Sequence, residues 1–248
     1  MQHSIRLYEQ KRILQLTTQI VELSEQTVKI IQNGKPVILN AIGLVFAETI
    51  FHPQGGGQPS DKGTINSQTV IMVNEDKSQP LLQKKIYHFL DLNQVNTEKY
   101  SIGQKVQLEV NSDYRYQCER SHSAGHLIAD ILELDDKFTS YQAKATRGHH
   151  FPGEEYIKVT VNTIPTDIPI LIKQINESLH ELINKNLPTS INYHEDGVRH
   201  IKFGNSERMC GGTHVKSTKE LLACEVTKIK MSKNSNGTDE LTIFYRCP

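Results

Sequence analysis

The hydrophobic periodicity of the chain changes near Asn111, and this change constrains the fold more than any other feature of the sequence. Before Asn111, short segments are rich in β-branched apolar residues or alternate apolar with polar side chains, and turn signals such as Asn33-Gly34 separate them. These segments comprise residues 26–32, 36–47, 69–73 and 105–110. Because several short strands at such spacing are typical of a small barrel or sandwich, we predict a small β-barrel over residues 1–111.

After Asn111 the apolar residues recur at helical spacing. Ser112 or Asp113 is expected to cap a helix that runs through Glu133. Its apolar face would comprise Leu127, Ile128, Ile131, Leu132 and Leu134. Gly125 lies inside this helix at a cost of about 1 kcal/mol relative to alanine, so we expect a packing or functional reason for it.

A second helix is predicted over residues 167–184, with a proline that its first turn can tolerate. Residues 156–161 and 240–244 have the composition of strands. The fold class predicted for the whole chain is therefore α+β. An N-terminal β-barrel over residues 1–111 would precede an α+β domain over residues 112–248.

Composition and charge set broad limits on function. In this chain of 248 residues, 37% are hydrophobic and 23% charged, which is typical of a soluble globular protein. No apolar run approaches the ~20 residues of a membrane span, and the N-terminus lacks a secretion signal. We therefore expect a cytoplasmic protein that does not contact a membrane. Equal numbers of basic and acidic residues, 28 each, argue against tight non-specific nucleic-acid binding but leave room for a local RNA-binding face.

Two pairs of residues have the spacing of metal ligands. His122 and His126 are four residues apart on the first predicted helix and would project from one face. Cys210 and His214 are also four apart, and the glycines between them allow the backbone to curl so that both can point inward. Nitrogen and sulfur donors favour tetrahedral Zn²⁺ over magnesium or calcium. The alternatives are a structural zinc or no metal at all.

The remaining cysteines and histidines give weaker signals. The four cysteines are too few and too irregularly spaced to predict disulfides. Those outside the ligand set are expected to be buried and unliganded: Cys118, Cys224 and Cys247. His149 and His150 are interpreted as an exposed loop pair; the alternative is that, with Arg147, they contact RNA phosphate or close the site. His194 and His200 have no recognisable partner pattern.

A glycine-rich segment lies between two predicted strands, at residues 51–63. Gly55, Gly56 and Gly57 are consecutive and are followed by Gln58. Because they carry no Cβ, the backbone there can turn sharply or approach a ligand closely. A surface turn is the simpler interpretation of the glycines taken alone.

Together these motifs resemble a known family. The segment Ser-His-Ser-Ala-Gly-His-Leu at 121–127, followed by Cys-Gly-Gly-Thr-His-Val at 210–215, resembles the paired zinc motifs of the alanyl-tRNA synthetase editing domain. The glycine-rich segment 51–63 resembles the matching element of the freestanding editing proteins called AlaX. The order and spacing of the three motifs agree with a medium-length AlaX protein. With nothing before the β-rich part that could form an aminoacylation domain, the resemblance favours a freestanding protein over a full synthetase.

The resemblance implies a fold, a site and a cofactor. The implied fold is an N-terminal β-barrel and a C-terminal α+β editing domain, with the cleft near their junction. The positions that match the family's zinc ligands, which are also the implied catalytic residues, are His122, His126, Cys210 and His214. The positions that match the glycine-rich loop facing the substrate are Gly55, Gly56, Gly57 and Gln58.

The implied activity is zinc-dependent deacylation of mischarged tRNA(Ala). The expected substrate is serine esterified to the acceptor end, with glycine as a second substrate, and no obligatory protein partner is evident. Because no serine nucleophile with a partner base is recognisable, metal-assisted hydrolysis is preferred to a covalent mechanism. Candidates for a group that hydrogen-bonds the serine hydroxyl are Thr139, Ser140 and Thr146. The alternatives are a non-catalytic tRNA-binding module with a structural zinc and a zinc hydrolase of small esters or amides.

Overall fold

A computed structural model of the chain describes residues 4–10, 12–32, 34–76, 78, 84–195 and 197–248. The chain divides into two compact units. The N-terminal unit comprises Met1–Gly55 and Pro59–Arg115, and the C-terminal unit comprises Gly56–Gln58 and Tyr116–Pro248. The glycine-rich segment is therefore shared, since Gly55 belongs to the first unit and the next three residues to the second. Within the described residues, no helix combines the length and hydropathy that a membrane crossing requires.

The N-terminal unit is built from strands. They are β1 (Ile5–Arg6), β2 (Gln15–Gln32), β3 (Lys35–Phe46), β4 (Glu48–Thr49), β5 (Gly63–Ile65), β6 (Gln68–Thr69), β7 (Met72–Glu75), β8 (Ile86–Asp91) and β9 (Lys105–Val110). Seven of them form one antiparallel sheet in the order β6-β5-β9-β2-β3-β8-β7. The short strands β1 and β4 pair in parallel.

The predicted closed barrel is wrong, because the sheet has two edges at β6 and β7. These edge strands follow one another in the chain, and no ladder joins them in the described residues. The two residues between them bond to different strands: the Val70 N–H donates to the Gly63 carbonyl and the Ile71 N–H to the Phe89 carbonyl, each at 2.9 Å. The chain therefore passes from β6 to β7 without the ladder of hydrogen bonds that would close a barrel.

Strand bounds follow the predicted pattern unevenly. The prediction for residues 105–110 is confirmed, but β2 begins at Gln15, eleven residues before its predicted start at Gln26. Its first part pairs with β9 and its later part with β3, so one long strand serves two ladders. The predicted turn after β2 is present at Gly34, with φ of 74°, whereas Asn33 lies outside the described residues.

A buried ion pair closes the base of the glycine-rich segment within the N-terminal unit. The Arg115 side chain donates from Nε to Asp61 Oδ1 at 2.8 Å and also bonds the second carboxylate oxygen. It further donates to the Ile50 carbonyl at 2.7 Å. The Asp61 N–H donates to the His52 carbonyl at 3.0 Å. Because both charges are buried and multiply hydrogen-bonded, the pair fixes residues 50–52 beside residue 61.

The C-terminal unit combines helices and sheets. Its elements are α1 (Ser112–Leu134), which begins in the N-terminal unit, β10 (Lys144–His149), β11 (Tyr156–Thr160), α2 (Ile168–Asn184), β12 (Thr189–Tyr193), β13 (Arg199–Phe203), β14 (Ser206–Met209), β15 (Glu225–Lys233) and β16 (Asp239–Arg246). One antiparallel sheet has the order β10-β11-β16-β15 and another the order β12-β13-β14. The α+β prediction is confirmed for this half of the chain.

Both predicted helices form, but the cap of α1 differs from the prediction. Asn111 caps α1, since its Oδ1 accepts a hydrogen bond from the Tyr114 N–H at 2.9 Å. The proposed caps, Ser112 and Asp113, are already helical residues. Asp167 caps α2 in the same way through the Ile170 N–H at 2.9 Å.

The apolar face of α1 is confirmed for four of its five predicted members. Leu127, Ile128, Ile131 and Leu132 are buried, whereas Leu134 is 61% exposed at the helix end. They form a core with the apolar residues of α2 and the four-stranded sheet, including Ile175, Leu179, Ile157, Val159, Leu241 and Ile243. Each fully buried Leu or Ile contributes about 1.5–3 kcal/mol to folding. This core holds the second half of α1 in place.

The three cysteines outside the predicted ligand set differ in whether they form a disulfide. Cys118 is buried, as predicted, and is not disulfide-bonded. Cys224 and Cys247 form a disulfide with a Cα–Cα distance of 4.3 Å, so the prediction of unbridged thiols is wrong. Cys224 precedes β15 and Cys247 follows β16, and the adjacent residues Glu225 and Arg246 are paired in the ladder. The strand register therefore brings together two cysteines whose sequence spacing gave no signal.

Candidate metal centre

Two histidines project from the same face of α1. The rings of His122 and His126 lie 4.9 Å apart between centroids, at an interplanar angle of 70°. Gly125, just before His126, leaves space for other side chains: a Cβ there would lie 2.4 Å from His150 Cε1 and 2.7 Å from Tyr245 Oη. Of the two reasons expected for this glycine, packing or function, the structure shows packing.

Cys210 and His214 meet the two helix histidines. Cys210 Sγ lies 3.4 Å from His122 Nε2 and 3.2 Å from His214 Nε2. One potential ligand atom from each of His122, His126, Cys210 and His214 lies within 4.8 Å of all the others. The structure thus brings together the four residues that the sequence singled out, and we call them the four-residue cluster.

The loop after β14 is shaped for this approach. A Cβ on Gly212 would lie 2.2 Å from His122 Cε1, whereas a Cβ on Gly211 would meet no heavy atom within 4 Å. Arg199, which is buried, donates from Nη1 to the carbonyls of Cys210 at 2.6 Å and Gly212 at 2.9 Å. Sequence reasoning missed Arg199, because its role depends on two carbonyl groups that only the folded loop brings to it.

Hydrogen bonds orient the His122 ring. Gln58 Oε1 lies 2.7 Å from His122 Nδ1 and accepts from the Thr213 N–H at 3.0 Å, while Gln58 Nε2 donates to Thr213 Oγ1 at 2.8 Å. The Thr213 N–H identifies the Gln58 atom as an oxygen, so His122 Nδ1 must carry the proton. The lone pair of His122 is therefore on Nε2, the nitrogen near Cys210.

Ser123 orients the His214 ring from the opposite side. Its Oγ lies 2.9 Å from His214 Nδ1 and accepts from the Val215 N–H at 3.2 Å. His214 Nε2 is then the nitrogen that faces Cys210. Hydrogen bonds of this kind to the second ring nitrogen are typical of histidines that bind metals.

The donor set fits a cation. Burial, together with the nearby His150, Arg208 and Arg199, lowers the pKa of His126 to about 3, so the imidazole is neutral at physiological pH. Its Nδ1 is buried without a hydrogen-bond partner in the described residues, which is uncommon for a buried polar atom. Burial raises the pKa of the Cys210 thiol, against the effect of the Gly212 N–H and the Arg199 charge. Three imidazoles and one sulfur are donors that suit zinc.

An open pocket of about 660 Å³ lies in the C-terminal unit beside three members of the cluster, His122, His126 and Cys210. Its other walls include Gly56, Thr146, Arg147 and Arg208. Of the three candidate hydroxyl residues, Thr146 therefore lines the pocket. Thr139 and Ser140 are exposed in a short 3-10 helix and do not line it.

The residues of the glycine-rich segment have different surroundings. Gly55 and Gly56 are exposed, and a Cβ on either would meet no heavy atom within 4 Å. Gly57, at φ of 80°, has no room for a side chain, since a Cβ would lie 2.6 Å from the Gly148 carbonyl oxygen. Gln58 is fully buried and contacts the His122 ring, and the residues that line the pocket do not include it.

His150 is a member of the pocket wall that the sequence interpretation placed wrongly. The prediction of an exposed loop pair fails for His150, which is buried and stacks on His122 with ring centroids 4.5 Å apart. Its Nδ1 lies 2.6 Å from Tyr245 Oη, which donates to the Ser121 carbonyl at 2.8 Å. Burial lowers the pKa of His150 to about 3, so it is neutral. No local sequence signal distinguishes it from His149, which is partly exposed and stacks on Phe151.

Arg208 presents a charge to the pocket from β14. Two α1 carboxylates hold it, with Nη2 2.5 Å from Glu133 Oε2 and Nε hydrogen-bonded to Asp130. Burial tends to lower the pKa of Arg208, but Asp130 and Glu133 raise it above its ordinary value. The guanidinium is therefore permanently charged and fixed in position.

Comparison with known proteins gives similarity over most of the chain. Residues 198–238, which include Cys210 and His214, match the family described as the threonyl and alanyl tRNA synthetase second additional domain. The chain is 30% identical to the alanyl-tRNA editing protein AlaX-L of Pyrococcus horikoshii over 216 residues, covering 83% of this chain and 52% of that protein. It is 27% identical to AlaX-M of the same organism, covering 85% of this chain and 90% of that protein.

A synthetase is also similar to the chain. The alanine–tRNA ligase of Christiangramia forsetii is 32% identical over 194 residues, covering 72% of this chain and 21% of the ligase. The chain therefore spans about half the length of AlaX-L and most of the length of AlaX-M.

Proposed function

The chain is a homologue of the AlaX alanyl-tRNA editing proteins, and from this premise we propose that it hydrolyses the ester of a wrong amino acid on tRNA(Ala). The substrate is seryl-tRNA(Ala), with glycyl-tRNA(Ala) as the second substrate. The observation that carries this proposal is the convergence of three imidazoles and one thiol beside an open pocket. The two helix histidines and the Cys210 loop are more than eighty residues apart in the chain, so this convergence is a property of the fold.

In this proposal His122, His126, Cys210 and His214 hold one Zn²⁺ ion. When bound, zinc supplies Lewis acidity, which activates a water molecule and polarises an ester carbonyl. The chain's own part is to keep the four donors ready. Gln58 and Ser123 hold the Nδ1 atoms of His122 and His214, which turns both Nε2 atoms toward Cys210.

The pocket walls bind and orient the aminoacyl end. Gly56 gives the substrate access to the backbone, and the exposed Arg147 offers a positive charge to the RNA phosphates. Thr146 Oγ1 donates to the Lys158 carbonyl at 3.2 Å, which leaves its oxygen lone pairs as acceptors for a serine hydroxyl. An alanyl ester cannot make this bond, so the pocket favours the mischarged product.

The test is release of labelled serine from seryl-tRNA(Ala), with alanyl-tRNA(Ala) in a parallel reaction. We expect rapid release of serine and slow release of alanine. Cys210→Ala should abolish both the zinc held by the four-residue cluster and the release of serine. Cys118→Ala is the matched control, because Cys118 is equally buried but outside the cluster, and it should retain both.

Three results would contradict the proposal. Full activity of Cys210→Ala, or of the chelated protein, would exclude the metal mechanism. Cleavage of simple esters with seryl-tRNA left intact would indicate a hydrolase of small molecules. Binding of tRNA with zinc-dependent folding but no deacylation would indicate an RNA-binding module.

The role of Thr146 has its own test. Thr146→Val should lower the preference for seryl over alanyl ester about tenfold, the value of one hydrogen bond of ~1.4 kcal/mol. Thr139→Val serves as the control, because Thr139 is exposed and outside the pocket. An unchanged preference in Thr146→Val would remove Thr146 from the recognition of serine.

A further inference from the structure

A second group of potential metal ligands lies on the three-stranded sheet of the C-terminal unit. His194 follows the last residue of β12, His200 is in β13, and Glu207 is in β14. Asn192 pairs with His200, and Lys202 pairs with Glu207. Since directly paired residues, and residues two apart on a strand, share a face of the sheet, all three side chains belong to one face.

Burial along β13 shows which face this is. Ile201 and Phe203 are buried in the core of the C-terminal unit. The residues that alternate with them, His200 and Lys202, are only partly buried. The side chains of His194, His200 and Glu207 are 50%, 20% and 32% exposed. The group is therefore on the outer face, where an ion from solution can reach it.

The three side chains converge. Glu207 Oε1 lies 3.0 Å from His194 Nε2 and 3.9 Å from His200 Nδ1. The two imidazole rings stack with centroids 3.8 Å apart and an interplanar angle of 5°. One potential ligand atom from each residue lies within 4.8 Å of the other two. We call these residues the surface triad; they share no member with the four-residue cluster.

We propose that the surface triad of His194, His200 and Glu207 binds a divalent transition-metal ion, with zinc as the probe of choice. Two imidazoles and one carboxylate suit zinc and its neighbours in the first transition row, and they are poor ligands for magnesium. Three protein ligands leave at least one coordination position for water or another small donor. The parallel rings make room for the ion by rotating about their side-chain bonds, which the exposure of His194 permits.

An ion at the triad would cross-link the strands that carry Cys210. Glu207 is three residues before Cys210, and the Cys210 N–H donates to the carbonyl of Arg199 at 3.0 Å, next to His200. The ion would tie β12, β13 and β14 together on the face opposite the core. Its expected role is therefore structural, stiffening the hairpin from which the Cys210 loop extends.

The competing explanation is that the triad is only an ion pair between a carboxylate and a protonated histidine. Zinc titration of the chelator-stripped full chain by isothermal calorimetry separates the two. We expect two equivalents of zinc in the unaltered protein and one equivalent in His200→Ala and in Glu207→Gln. His180→Ala, which removes an exposed histidine of α2 outside both groups, should still bind two equivalents.

A variant of the other cluster makes the result independent of the proposed function. Cys210→Ala should retain one equivalent, and the double variant Cys210→Ala/His200→Ala none. Should His200→Ala fail to fold by circular dichroism, His194→Gln replaces it, because His194 is half exposed at a strand end. The proposal is overturned if zinc stoichiometry is the same in the unaltered protein, Glu207→Gln and His194→Gln. One equivalent that survives Cys210→Ala but not Glu207→Gln would support the triad and contradict the four-residue cluster.

Discussion

The four-residue cluster combines three histidines with a cysteine, and the surface triad combines two histidines with a glutamate. The two groups differ in what holds their imidazole rings. In the cluster, Gln58 and Ser123 occupy the Nδ1 atoms of two rings, and neither residue is itself a donor of the cluster. In the triad, the group that bonds His194 is Glu207, which is one of the candidate ligands. An ion entering the triad must therefore replace an existing hydrogen bond.

This difference predicts different costs of metal binding. The rings of the cluster need little reorganisation, because Gln58 selects the tautomer of His122 and His126 is already neutral. The remaining cost is the loss of the Cys210 thiol proton, whose pKa burial raises. Hydrogen bonds from His194 and, to a lesser extent, Asn192 lower the pKa of Glu207. Metal binding at the triad must break the first of these bonds. We therefore expect the cluster to bind zinc more tightly than the triad.

The largest predicted effect concerns the two glycines of the Cys210 loop. Gly212→Ala should displace the His122 ring, because the new Cβ would lie 2.2 Å from it, and lower zinc affinity about 100-fold. Gly211→Ala adds the same atom into open space and should bind zinc normally. Zinc titration of the pair measures how rigid the cluster is. Equal zinc affinities of the two variants would show that the loop moves to accommodate the new Cβ. The cluster would then not be more rigid than the triad.

A smaller effect is expected when the groups that orient each site are removed. Gln58→Ala takes the acceptor from His122 Nδ1, so zinc affinity and serine release should fall about 10–100-fold. Asn192→Ala removes only an exposed 3.4 Å contact to Glu207 and should alter zinc binding at the triad less than threefold. Competition with a coloured chelator gives both affinities. A Gln58→Ala protein that binds zinc normally would contradict the assigned tautomer of His122.

The N-terminal unit also contains a buried imidazole, that of His88, which predicts that the free energy of unfolding depends on pH. Burial lowers the pKa of His88 from 6.5 to about 4. Between these values the unfolded chain binds a proton that the folded chain does not, so the free energy of unfolding falls as pH falls. At pH 5 this loss is about 2 kcal/mol.

Urea unfolding at pH 7 and pH 5 measures this loss when the unaltered protein is compared with His88→Gln, because the buried His126 and His150 add losses of their own. His88→Gln should be less stable than the unaltered protein at pH 7, because it perturbs the contacts to Thr49 and the Leu44 carbonyl. Its stability should nevertheless fall less between pH 7 and pH 5. His180→Gln, altered at an exposed position, should keep the full dependence. The same acid loss in His88→Gln as in the unaltered protein would show that other groups cause it.

The sequence predicted what depends on local patterns. Helical periodicity gave α1 and α2, and ligand spacing gave the four residues that meet in the cluster. The closed barrel failed because closure depends on which strands accept the hydrogen bonds of Val70 and Ile71, and periodicity carries no such information. The disulfide between Cys224 and Cys247 was missed for the same reason, since only the register of β15 and β16 juxtaposes these residues.

The sequence also could not identify the residues that surround and orient the histidines of the cluster. Gln58 could be singled out as a neighbour of glycines, but its bond to His122 joins segments 64 residues apart. No local pattern distinguished His150 from an exposed loop residue, because its burial depends on contacts with Gly125 and Tyr245. Metal-type spacing thus identified the donors, whereas the groups that orient them emerged only from tertiary contacts.

X-ray absorption at the zinc edge tests the central claim most directly. The Glu207→Gln protein loaded with one equivalent of zinc is the appropriate sample, because it removes a ligand of the surface triad and leaves the four-residue cluster unchanged. We predict one sulfur at about 2.3 Å and three nitrogens at about 2.0–2.1 Å from the metal. A zinc ion without a sulfur neighbour, or a protein that binds no zinc, would contradict the account.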